Sequence, residues 1–338
     1  MRASFYKKLT GSRVRCDLCS HRCIINNIER GICRVRENQG GELTTLSYGK
    51  IAAMNVDPIE KKPLFHVIPG SLCYSIATVG CNFKCLFCQN AEISQIPADY
   101  NNGIIPGRPF TPEQVVEAAE QNGCKSIAST YTEPTIFFEF AYDVAKLASK
   151  KGIKNIFVTN GYMTRGPLER ISPFLDAANV DLKAFDNSFY KNICKSEMKH
   201  VLKTLKLMKH LGIFIEISTL IIPGLNDNEK QLRDLAIFIA QELGTETPWH
   251  ISRFHPAYKI NNLSQTPLDT LIRARETGIK AGLKYVYTGN VSGEESEKTF
   301  CYNCGKILID RCGLTINRYE IKNSRCPDCN ALIHGIGL

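Results

Sequence analysis

Residues 71–88 read SLCYSIATVGCNFKCLFC, an apolar run that empties into three closely spaced cysteines. The run has the length and composition of a buried strand, and Gly80 closes it. Cys81, Cys85 and Cys88 follow in the pattern C-x3-C-x2-C. On a loop, spacings this short let three thiolates converge on one small inorganic core. Iron–sulfur clusters ordinarily take four ligands, so three local thiolates leave one iron open to another molecule. An open three-ligand zinc site is the competing reading of the same spacing.

Working outward, strand-like and helix-like stretches alternate. The spacing predicts strands over 124–131, 155–160, 178–184, 213–222, 249–254 and 284–289. Between them it predicts helices over 111–123, 136–152, 166–175, 199–212, 227–244 and 267–282. Thr111 is a capping residue before Pro112, and Gly123 is a stop, which are helix boundary signals. Strands separated by helices imply a parallel sheet with right-handed crossovers. The expected fold is therefore α/β, a partial (βα)6-type barrel over 70–295. In such folds the chemistry collects at the C-terminal ends of the strands. The unusual polar motifs fall there in order: GCNFKC, YTEP, TNG, DLK, IPGLND and RFHP.

Composition narrows the class. With 338 residues, 43% hydrophobic and 22% charged, the chain is neither disordered, collagen-like nor a coiled coil. No run of 18 apolar residues occurs, and the start lacks the apolar core of a secretory signal. A soluble, cytoplasmic protein with no membrane partner is expected. The formal charge of +9 suits an acidic partner or nucleic acid without specifying either. Fifteen cysteines in a reducing compartment favour metal ligation over disulfides.

Eleven of the fifteen fall into three groups. Cys16, Cys19, Cys23 and Cys33 form an N-terminal C-x2-C-x3-C-x9-C set within the region 1–69. Four thiolates suit structural zinc, the first choice, or an auxiliary iron–sulfur cluster. Cys301, Cys304, Cys326 and Cys329 lie in a module over 296–338 and resemble a zinc ribbon, which would stabilise a unit too small for its own core. Cys73, Cys124, Cys194 and Cys312 read as small buried apolar residues.

At the central cysteines, with Phe87 before the third, the chain resembles the radical S-adenosylmethionine (SAM) superfamily. That resemblance implies a 4Fe–4S cluster held by Cys81, Cys85 and Cys88, with SAM on its open iron. Reductive cleavage of SAM to a 5′-deoxyadenosyl radical, and hydrogen abstraction from a substrate, would follow. Glu133 in YTEP stands where the family binds the methionine amino group, although no Gly-Gly precedes it. Asp181 and Lys183 match the DxK motif of the glycyl-radical-enzyme activases, and Asn160 lies in a stretch like their D-T-N-G, with Val158 in place of the aspartate. Ile222 opens a partial adenine-side motif, and His255 sits like the activases' late-barrel histidine. On the residues alone, Glu133 also reads as a helix cap and Asp181–Lys183 as a structural ion pair.

Two further stretches, 16–38 and 55–66, extend the resemblance end to end to the AmmeMemoRadiSam-system radical SAM enzymes, a group like pyruvate formate-lyase activating enzyme. The resemblance implies an anaerobic oxidoreductase, a one-electron donor such as ferredoxin or flavodoxin, and AMMECR and Memo domain proteins as partners. The substrate stays open between a protein glycine and a carbon centre on a small molecule or nucleic acid. A non-catalytic, zinc-ribbon nucleic-acid-binding protein is the outside alternative.

Overall fold

In a computed structural model, which describes residues 1–96, 103–291 and 295–338, eight strands form one sheet. They are β1 (Ala53–Pro58), β2 (Leu72–Ala77), β3 (Ser126–Ser129), β4 (Lys154–Thr159), β5 (Ala177–Asp181), β6 (Phe214–Ile221), β7 (Trp249–Arg253) and β8 (Val286–Gly289). β2 to β8 are parallel and lie side by side in chain order, while β1 pairs antiparallel with β2 at the edge. The parallel strands are almost continuously buried, as they must be when both faces are covered. The crossovers carry α1 (Pro112–Gln121), α2 (Phe138–Lys150), α3 (Arg165–Ile171), α4 (Met198–His210), α5 (Glu229–Phe238) and α6 (Leu268–Lys280).

The local signals behave as expected. Thr111 accepts from Gln114 N while the Gln114 side chain accepts from Thr111 N, a capping box with Pro112 in the first turn. On α4, Val201, Leu205 and Met208 are buried, and Lys206 and Lys209 pair with Glu242 and Glu246. The sheet starts earlier than residue 70, however, because β1 belongs to it. Cys73, Cys124 and Cys194 are buried as expected, whereas Cys312, at the end of a surface strand, is exposed. Among the described residues no helix is long and apolar enough to cross a membrane.

β1 and β8 do not pair, so the barrel is open. Its hollow is filled by the segment 61–67 between β1 and β2. Lys62, Leu64, Phe65, His66 and Val67 are all buried. The Glu216 carboxylate of β6 accepts from Phe65 N (3.1 Å), His66 N (2.8 Å) and His250 Nε2 (2.6 Å). Asn179 of β5 donates to Pro63 O at 2.7 Å. The C-terminal module, a three-stranded antiparallel sheet, clamps this segment from outside. Arg311 donates to Phe65 O (2.7 Å) and stands over the Phe65 ring, and Val67 bridges to Ile336.

At the N-terminus a small sheet (Tyr6–Lys8, Val14–Cys16, Ile24–Ile25) and a hairpin (Arg36–Gln39 with Glu42–Thr45) pack on α2. The buried Arg36 guanidinium grips Glu139 of α2 through two bonds of 3.0 Å. Such a forked, charge-assisted pair fixes orientation as well as distance.

His66 makes this filling sensitive to acid. Its Nδ1–H donates to His334 O (2.7 Å), so Nε2 must accept from the Tyr287 hydroxyl (2.6 Å), which holds the ring neutral. Burial pushes its pKa down from 6.5 to about 4, despite the nearby Glu216. Between those values the unfolded chain binds a proton that the native state refuses, so stability falls as pH drops through that window. The loss is about 2 kcal/mol near pH 5. Unfolding free energies from urea titrations at about pH 7 and pH 5 should differ by that much less in His66→Gln. An equal drop in both proteins would remove His66 as the cause.

Candidate active site

Because the strands run parallel, every β-to-α turn opens on one rim. There a cavity of about 440 Å³ is walled by residues from nearly every strand end. The loop after β2 supplies Cys81, Cys85 and Cys88, and the turn after β3 supplies Glu133. Asn160 follows β4, while Asp181 and Lys183 end β5. Ser218, Ser252 and Asn290 come from the later strands, and Lys61 and Lys62 rise from the filling segment.

The cysteine loop is held by its backbone. Lys84 N and Leu86 N donate to Cys194 O (3.0 Å) and Ile193 O (3.1 Å) of the 190–194 helical turn. Several donors aim at its sulfurs. Phe83 N lies 3.4 Å and Asn160 Nδ2 3.9 Å from Cys81 Sγ, and the Ser94 hydroxyl lies 3.1 Å from Cys88 Sγ. Cys194, read from sequence as an apolar filler, touches Cys85. Its thiol, and then burial, hold the Cys85 thiol well above its ordinary range. The spacing also speaks to the ligand. Among the described residues, only the C-terminal quartet brings three or more ligand atoms all within 4.8 Å of one another. The central three are not among them. Three thiolates beside an open cavity therefore fit a cluster with one free iron.

Glu133 is fully buried at the cavity wall. Its Oε1 accepts from Thr135 N (3.0 Å), Thr135 Oγ1 (2.5 Å) and Thr159 Oγ1 (2.7 Å), so it caps the 3-10 turn Pro134–Phe137. Its Oε2 accepts one bond, from Asn160 N at 2.8 Å, and retains a lone pair for a further donor. Burial lifts its pKa, and these bonds offset only part of the rise. Asn160 in turn donates to Asn82 Oδ1 at 2.7 Å. Lys183 Nζ reaches Asp181 Oδ2 at 2.8 Å and lies over the Phe87 ring. Burial opposes the Lys183 charge, but Asp181, Cys85 and Cys194 outweigh it and keep the ammonium protonated well beyond its usual range. Both the cap and the ion pair exist, and both groups also face the cavity.

A second charged group stands at the mouth, around Asp57. Asp57 accepts from Lys61 (2.8 Å), Lys62 (2.6 Å), Ser75 Oγ (2.9 Å) and the Tyr131 hydroxyl (2.6 Å). Despite burial, these donors hold its carboxyl far below the usual carboxylate range. Tyr131 adopts the left-handed backbone conformation (φ 59°), with its carbonyl tied to Asn90 Nδ2 at 2.8 Å. A signal was present in the run of charges at 57–62, but their convergence depends on the pairing of β1 with β2.

Two expected residues lie elsewhere. The Ile222 side chain is buried in the apolar core, and His255 is exposed beyond the end of β7; neither lines the cavity. The motifs containing them follow the right strands, but neither side chain is among those lining the cavity. The two terminal quartets form separate groups. Cys301 Sγ and Cys329 Sγ lie 3.5 Å apart, and Cys304 Sγ and Cys326 Sγ 3.7 Å apart. Cys16, Cys19, Cys23 and Cys33 surround a small cavity that Asn82, from the loop of Cys81, Cys85 and Cys88, also lines.

Three thiolates, a buried carboxylate and a Lys–Asp pair on the rim of an open parallel barrel define a class, and the comparisons name it. Residues 75–236 match the radical SAM superfamily. An uncharacterized protein of Methanocaldococcus jannaschii is 46% identical over 333 residues, 98% of each chain. The pyruvate formate-lyase-activating enzyme of Clostridium pasteurianum is 25% identical over 193 residues, 54% of this chain and 77% of that one. A radical SAM methyltransferase from Sphaerobacter thermophilus has a similar fold, with a TM-score of 0.51 at 14% identity over 66% of this chain and 68% of that one. The chain belongs to the radical SAM superfamily. Within it, the protein is an enzyme of the pyruvate formate-lyase-activase-like kind. Membership implies a 4Fe–4S cluster and SAM, and a reductant to drive them.

The Glu133 network gives a stability test. Glu133→Ala leaves buried donors on Thr135, Thr159 and Asn160 without acceptors and should cost about 3 kcal/mol or more in urea unfolding. Glu133→Gln keeps one accepting oxygen and should cost about half as much. Equal losses would show that the oxygen atoms do not hold the turn.

Proposed function

We propose that the cavity binds a 4Fe–4S cluster through Cys81, Cys85 and Cys88 and SAM beside it, and that the enzyme takes a hydrogen atom from a glycine of a partner protein. The convergence of these cysteines with Glu133, Asp181 and Lys183 on one cavity carries this reading. When bound, the pair supplies a one-electron cleavage of SAM to methionine and a 5′-deoxyadenosyl radical. The residues of the chain bind, orient and shield. Glu133 Oε2 offers its free lone pair to the methionine ammonium, and Asn160 N fixes that oxygen. Lys183, held charged by Asp181, suits a carboxylate. The likeness to an activating enzyme supports a protein substrate.

A second reading, a small anionic substrate, is favoured by one observation: the half-exposed Lys61 ammonium stands with Lys62 at the mouth of the cavity. For the C-terminal quartet we propose zinc, because sulfurs 3.5–3.7 Å apart match the roughly 3.8 Å edge of a tetrahedral four-thiolate site. A ferredoxin or flavodoxin as electron donor, AMMECR and Memo domain proteins as partners, and a cytoplasmic location complete the proposal.

Anaerobically reconstituted enzyme with reductant and SAM should form 5′-deoxyadenosine, and Cys85→Ala should form none. Retained cleavage in that variant would end the assignment. Glu133→Gln should bind SAM about 10- to 100-fold more weakly, the equivalent of one charge-assisted hydrogen bond. Unchanged affinity would take Glu133 out of the cofactor site. Turnover raised by a protease-sensitive macromolecular fraction of host extract would support the protein substrate. Turnover raised only by the small-molecule fraction would support the second reading.

A further inference from the structure

The N-terminal quartet lies outside the cavity just described. Cys16 ends the strand Val14–Cys16, Cys19 and Cys23 lie on the turn after it, and Cys33 precedes the hairpin strand Arg36–Gln39. All four line one enclosed pocket, whose other walls are mainly the apolar side chains of Leu18, Ile25 and Ile136. Cys16 and Cys33 are buried.

We infer that Cys16, Cys19, Cys23 and Cys33 bind a second iron–sulfur cluster rather than a single zinc ion. The first ground is the spacing of the sulfurs. The C-terminal quartet gathers its four sulfurs within 4.8 Å of one another, as one tetrahedral ion requires. Among the described residues the N-terminal four form no such group, although they share one pocket. In this respect they resemble Cys81, Cys85 and Cys88. A cluster places iron and sulfide between its thiolates and holds them further apart than one ion does.

The second ground is a pair of unanswered donors. Asn82 Nδ2 and Arg36 Nε are buried and have no hydrogen-bond partner, and both residues line this pocket. Each is only 1% exposed. Their other polar atoms are engaged. Asn82 Oδ1 accepts from Asn160, Asn82 O meets His21 Nε2, and both Arg36 terminal nitrogens are bonded. A buried donor left unpaired is costly, so native structures seldom keep two in one pocket. The sulfides and thiolates of a cluster are acceptors, and N–H···S bonds of this kind tune its potential.

The pocket also adjoins the catalytic loop. Asn82 lines this pocket, and its sequence neighbours Cys81 and Phe83 line the larger cavity. A Cβ on Gly80 would lie 2.7 Å from Cys33 O, so the quartet's backbone presses directly on that loop.

The test uses the full chain with the central ligands removed, which separates this proposal from the reading of the catalytic cavity. C81A/C85A/C88A protein, purified anaerobically, should retain acid-labile sulfide and about two to four irons, the content of one four-thiolate cluster. Dithionite should bleach its visible absorption and give an electron paramagnetic resonance signal. Adding C16A and C33A should remove iron and sulfide and leave the zinc of the C-terminal quartet. Iron-free C81A/C85A/C88A protein with two zinc ions per chain would overturn the inference. In the same background, Asn82→Leu should shift the midpoint potential to more negative values, and an unchanged potential would overturn the role given to its N–H.

Discussion

A parallel sheet that stays open must fill its own hollow, and here one buried carboxylate governs the filling. Glu216, on β6, accepts from two consecutive backbone N–H groups of the 61–67 segment and from His250. A charge in that position is tolerable only because every donor is supplied by the fold. The consequences run in both directions. Below, the same segment gives the C-terminal module its attachment through Arg311 and the Val67–Ile336 bridge. Above, it brings Lys61 and Lys62 to the mouth of the cavity.

Around the cavity, the groups that would meet a cofactor are fixed mostly by main-chain contacts. The cysteine loop is laced to residues 193–194, and Glu133 is oriented by backbone N–H groups from two different strand ends. Side chains held this way need not reorganise when a ligand arrives, which is the usual economy of a preorganised site. Lys183 and Asp181 add a charge pair whose net field is small until a partner with its own charge enters.

Much of this was legible in the sequence because its causes are local. The run into Gly80, the Thr111–Pro112 start and the period of α4 each depend on neighbours a few residues away, and the strands and helices they predict are present. The placement of Glu133, Asn160, Asp181 and Lys183 was also legible, since a parallel sheet sends every strand end to one rim. What could not be read depends on contacts across the chain. Asp57 gains its donors only when β1 pairs with β2, and Cys194 becomes relevant only when the 190–194 turn meets the loop of Cys85. Ile222 and His255 show the converse. A motif fixes which turn a residue belongs to, but not which way its side chain faces, and these two do not line the cavity.

The contact between Gly80 and Cys33 bears on how such proteins diversify. The Cys33 carbonyl occupies the space that any side chain at residue 80 would need, and Gly80 also holds a left-handed φ of 98°. The N-terminal region therefore cannot be exchanged as a cassette. Grafted onto another barrel, it would dock only where that barrel has a glycine before its first cluster cysteine. In a lineage that discarded the region, residue 80 would be released from steric exclusion and constrained by its backbone angle alone.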